Sequence, residues 1–65
     1  MPKYPNIKVK LVGEDGNAFF ILGRVMSALR RGGVPDAERQ EFQRQATGGD
    51  YNNLLRVCMA WVDCH

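Results

Sequence analysis

Ile7, Val9 and Leu11 alternate with Lys8 and Lys10, the period of two of a half-buried strand. One face of that strand is apolar and the other presents two lysines. Pro2 and Pro5 ahead of it discourage helix, and Gly13-Glu14-Asp15-Gly16 breaks it. The period then changes. From about Asn17 to Arg31, the residues Ala18, Ile21, Leu22, Val25, Met26 and Leu29 recur at helical spacing. Arg24, Ser27 and Arg31 follow one another at i, i+3 and i+7 on the opposite side. Asp15 or Asn17 can cap the helix by accepting a hydrogen bond from a free backbone N–H. Phe19 and Phe20 point in different directions and make the first half of the helix apolar nearly all round, which predicts burial in an assembly. Gly32-Gly33 ends the helix, with Arg30 and Arg31 well placed at its negative end.

A second helix is predicted from about Pro35 to Gln45. Proline suits a first helical turn, and Asp36 and Glu38 suit the positive end of the dipole. Its apolar positions, Ala37, Phe42 and Ala46, are few, so it reads as a covering helix docked mainly through Phe42. Thr47-Gly48-Gly49 stops it. A third helix starts with Asp50 as N-cap and carries Tyr51, Leu54, Leu55, Cys58, Trp61 and Val62 at helical spacing. It is predicted to run through about Trp61. The end, Ala60 to His65, can instead be extended and pair with residues 7–12.

The predicted architecture is a small α+β domain over residues 1–65, β-α-α-α, with Leu22, Val25, Leu29, Leu55 and Trp61 in its core. A lone strand leaves backbone groups unpaired on both edges. Either the C-terminal tail pairs with it, or the same strand of a second subunit does, across a two-fold axis. The second solution would set Lys8 and Lys10 of both subunits on a common face.

Composition narrows the field. The 65 residues are 45% hydrophobic and 25% charged, as in a globular chain rather than a disordered one. No apolar run approaches the roughly 20 residues of a membrane helix, and no signal-peptide pattern opens the chain, so a cytoplasmic location is expected. A domain near 60 residues buries only about 60% of the surface its unfolded chain exposes, which predicts a homo-oligomer. Charge is uneven. Residues 1–34 hold six basic and two acidic residues, and residues 35–65 hold three basic and five acidic residues. The basic half suits an anionic ligand or nucleic acid, although a solvated surface or a dimer of complementary halves needs the same residues.

Chemistry-bearing residues are sparse. The Gly13–Asn17 segment lies between strand and helix, where phosphate loops sit, but it lacks the Lys-Ser/Thr ending and carries two acids. A turn with an N-cap explains it, and Asn17 can also contact a base or ribose. Lys8, Lys10, Arg24, Arg30 and Arg31 are the groups suited to anions, because arginine holds phosphate through paired hydrogen bonds. Cys58, Cys64 and His65 fall short of a four-ligand zinc site, and Cys58 reads as a buried apolar residue. A terminal His65 is a poorly oriented base for a cysteine nucleophile. No metal, cofactor or catalysis is therefore expected. Tyr4, beside Lys3 in a proline-rich segment, is the aromatic residue best placed to fold over a ligand.

Taken in order, Tyr4-Pro5-Asn6-Ile7, Asp15-Gly16-Asn17-Ala18-Phe19, Ala28-Leu29-Arg30-Arg31, Gly49-Asp50-Tyr51, Leu54-Leu55 and Trp61-Val62 resemble a set of short accessory proteins of bacterial genomes, mobile elements and phages. The resemblance spans almost the whole chain and supplies no catalytic residues. It implies a phage or prophage accessory role, such as interference with host defence by stoichiometric binding of a host defence protein or a nucleotide signal. The expected function is thus a small non-enzymatic binding protein. Its ligand residues are Lys8, Lys10, Arg24, Arg31, Tyr4 and Asn17. The alternatives are a nucleic-acid-binding regulator and a module that contacts protein alone.

Overall fold

The computed structural model describes residues 2–11 and 17–65. Strand β1 spans Tyr4–Val9, helix α1 Ala18–Arg31, helix α2 Asp36–Ala46, helix α3 Tyr51–Trp61 and strand β2 Val62–Cys64. The small α+β fold agrees with the order read from the pattern. The open question of the strand's partner is answered by the tail. β1 and β2 form a two-stranded parallel sheet, with Tyr4 opposite Val62, Lys8 opposite Asp63 and Val9 opposite Cys64. Backbone hydrogen bonds continue past both ends: Lys3 N–H donates to Ala60 O at 2.9 Å, and His65 N–H to Val9 O at 2.9 Å. A parallel pair needs a long crossover, and here the three helices supply it.

β1 begins earlier than its alternation suggests and takes in Pro5. Proline cannot donate to a ladder and survives at edges and irregularities. Pro5 falls in the interval between Tyr4 and Lys8 where the register slips.

The helix ends follow from local chemistry. Asn17 Oδ1 accepts from the N–H groups of Phe19 (2.9 Å) and Phe20 (3.2 Å), which caps α1. The alternative cap, Asp15, and the Gly13–Gly16 break lie outside the described residues. At the other end, Gly33 N–H donates to Arg30 O and Val34 N–H to Leu29 O. This is a Schellman closure, and it needs the positive φ of 83° that Gly33 adopts. Pro35 stands at the N-cap of α2 rather than inside its first turn. Asp50 Oδ1 accepts from Asn53 N–H at 2.9 Å to cap α3.

Val25, Leu29, Phe42, Cys58 and Val62 are wholly buried, with Val9, Ile21, Leu54 and Trp61 around them. Phe42 meets Trp61 edge-on at 5.6 Å, so α2 docks as expected, aided by buried Ala46. Leu22 and Leu55 depart from the expected core and are only half-buried. Each adjoins a residue, Ile21 or Leu54, that takes the inward position, and neighbours on a helix point about 100° apart. Phe19 and Phe20 are exposed on the single chain, by 86% and 48%. Among the described residues, no helix is long and apolar enough to cross a membrane.

Candidate anion-binding cleft

Lys8, on β1, and Lys10, just past its end, flank Val9, and both line the same side while Val9 enters the core. On α1, Arg24, Ser27, Ala28 and Arg31 share one face at spacings of three and four. These two faces meet in an open cleft of about 350 Å³ lined by the four cations, Ser27, Val9 and Ala28. Two small or buried residues, Val9 and Ala28, form its apolar floor, and cationic side chains form its walls.

Gly32 helps to fix the approach of strand and helix. A Cβ at this position would stand 2.6 Å from Ile7 Cδ1 and 3.0 Å from Ile7 Cγ1. A larger residue here would have to displace the Ile7 side chain, so glycine eases the approach of the end of α1 to β1. β2 also reaches the cleft: Asp63, opposite Lys8 in the ladder, accepts from Lys8 Nζ at 3.4 Å. This pair is long and solvated, so it holds Lys8 weakly. Arg24 Cζ lies 5.6 Å from the centroid of the Phe20 ring, one helical turn earlier.

Four of the six residues expected to touch a ligand thus come together. The other two take different work. Tyr4 is half-buried in β1 rather than on a free arm. Its hydroxyl donates to Glu38 Oε1 at 3.0 Å, and its ring lies 6.0 Å from Trp61. Asn17 spends its carbonyl on the α1 cap. Among the described residues, neither lines the cleft. Ser27, which does, was visible in the sequence only as the middle member of the Arg24-Ser27-Arg31 repeat.

Two arginines of the acidic half, Arg39 and Arg44, are held by acids on α2. Arg39 meets Asp36 at 3.4 Å, and Arg44 pairs with Glu41. On the same helix, Lys3 Nζ reaches Glu38 Oε1 at 2.7 Å and sits 4.4 Å from the Trp61 ring centroid. Hydrogen bonds from Lys3 and then Tyr4 hold the Glu38 carboxyl below its ordinary range. The Glu38 hydrogen bond in turn raises Lys3. Burial, followed by the Glu38 hydrogen bond, raises the Tyr4 phenol.

Chemically, the cleft can hold and neutralise an anion. Guanidinium groups offer forked donors, lysines mobile point charges, and Ser27 a hydroxyl. Cys58 lies in the core, where burial, followed by the charge of nearby Cys64, pushes its thiol up to about 12. It is therefore protonated at neutral pH. Comparison with protein families, curated proteins and solved structures returns no match to the chain.

Proposed function

We propose that this is a small non-catalytic binding protein that captures a phosphate-bearing ligand stoichiometrically in the cleft between β1 and α1. The convergence of Lys8, Lys10, Arg24 and Arg31 on one open site supports this reading. An anion seated among these side chains gains charge-assisted hydrogen bonds of roughly 1.5–3 kcal/mol each. The resemblance to accessory proteins of phages and mobile elements supports a role in the host cytoplasm, where such capture interferes with a defence signal. The reading includes self-association, since Phe19 and Met59 are exposed.

Calorimetric titration with inorganic pyrophosphate tests the proposal. Saturable binding at one site per chain is expected. Arg24→Ala or Arg31→Ala should weaken it about tenfold or more, the equivalent of about 1.4 kcal/mol. Arg44→Ala, whose partner is Glu41 on α2, should leave it unchanged. Absence of binding, or equal affinity in the cleft variants, overturns the reading. Tight association with arbitrary duplex DNA that falls steeply with salt replaces it with the nucleic-acid alternative.

A further inference from the structure

We infer that the anion taken by this cleft is a nucleotide, with its base stacked on Phe20 and its phosphates among Lys10, Arg24 and Arg31. The inference rests on the anion reading above and adds the chemistry of the ligand's other end. Phe20 is a large aromatic side chain left 48% exposed. It stands one turn before Arg24 on α1, and the Arg24 guanidinium, a wall of the cleft, lies 5.6 Å from its ring centroid. A single cation therefore borders both the charged site and the ring. An inorganic anion or a sugar phosphate has no use for that ring. A nucleotide carries a flat π-face at one end and phosphates at the other, joined by a sugar that spans such a separation.

The cleft volume of about 350 Å³ falls at the lower end of small-molecule sites, which run from about 300 to 1,000 Å³. It suits a mononucleotide or one half of a dinucleotide rather than a duplex. Ser27 lies between Arg24 and Arg31 on the same face and can donate to a phosphate or accept from a ribose hydroxyl. Phe19, although more exposed, is offset by about 100° around the helix, and it lines a separate apolar groove with Leu22, Ala46 and Leu54. Phenylalanine offers no hydrogen-bonding group, so stacking on Phe20 discriminates little between bases.

The test compares ADP with inorganic pyrophosphate, which supply the same linked phosphates with and without a nucleoside. Both are titrated into the wild-type chain, Phe20→Ala and Arg31→Ala at one salt concentration, with circular dichroism confirming the fold. The wild type should bind ADP at least about tenfold more tightly than pyrophosphate, and GDP and CDP within a few-fold of ADP. Phe20→Ala should abolish the advantage of ADP and shift pyrophosphate affinity by no more than about two-fold, through the loss of its contact with Arg24, whereas Arg31→Ala should weaken both. Equal affinity for ADP and pyrophosphate, or ADP affinity unmoved by Phe20→Ala, overturns the nucleotide inference and leaves the anion reading standing. Failure of both ligands to bind overturns the anion reading itself. Affinity that climbs with the length of a single-stranded oligonucleotide overturns the inference in favour of a nucleic-acid strand.

Discussion

Single side chains carry unequal shares of this small molecule. Leu29 has no exposed surface and also accepts, through its carbonyl, the Val34 N–H that closes α1. Leu29→Ala should cost about 2–5 kcal/mol, as buried leucine truncations do, which is a large part of the stability of so short a chain. Chemical denaturation of the wild type and variant measures it, and a change within about 0.5 kcal/mol contradicts the assignment. Glu38 works differently, because its contribution depends on charge. Its carboxyl is held below the usual value by Lys3 and Tyr4. The stability it adds is therefore present above the unfolded carboxylate range, near pH 4.5, and is lost as pH falls through its lower folded value. Lys3 is raised, so its share persists below its unfolded value near 10.5 and is lost as pH rises through the folded one. Trp61 fluorescence should report the acid step, since Lys3 Nζ lies 4.4 Å from the indole. Glu38→Gln should remove that step, and an acid transition unchanged in this variant excludes Glu38 as its source.

At the level of elements, the most readable parts were those defined by local chemistry. The helical spacing of Ile21, Val25 and Leu29, the Gly32-Gly33 stop and the Asp50 cap place α1 and the start of α3 within a residue or so of where they lie. Asp50→Ala should cost about 1 kcal/mol, since the Asn53 N–H then loses its acceptor. Thermal melting tests this, and an unchanged midpoint would show that water replaces the carboxylate without loss. β2 was harder to read. Three residues are too few for periodicity to separate strand from helix, and only the ladder with β1 makes Val62–Cys64 extended. Tyr4 was misplaced for a related reason. Pro5 placed Tyr4 ahead of the strand, whereas the register slip accommodates the proline within it. The cleft was half legible: the Arg24-Ser27-Arg31 repeat and the two lysines were visible in the sequence. Their meeting depends on the approach of α1 to β1 at Gly32, which pattern alone does not encode.

For the whole molecule, the consequence of size is a thin core and a generous apolar surface. Pairing with β2 covers one edge of β1, so strand exchange across a two-fold axis is no longer needed to explain its partner. Exposed Phe19 and Met59 remain. We therefore expect self-association through helix surfaces rather than through the sheet. Light scattering at micromolar concentration should give at least twice the chain mass, and Phe19→Ser should shift the distribution toward monomer. A compact wild-type monomer at that concentration contradicts the expectation.

The parallel β1–β2 ladder also sets an order of events during synthesis. β1 leaves the ribosome well before its partner, because Lys8 and Asp63 are 55 residues apart. Closing a loop of that length costs about 3.5 kcal/mol by random-chain scaling, before any constant. Helices can form within their own residues as they emerge, but the sheet must wait until residues 62–65 have cleared the exit tunnel. Throughout that interval β1 offers open backbone on both edges. A chain stalled before residue 62 should thus remain sensitive to protease near Ile7 and Val9, and gain protection once residues 62–65 emerge. Since β1 supplies one wall of the cleft, the site we propose is among the last parts of this domain to form, and capture of a phosphate-bearing ligand there would wait for residues 62–65.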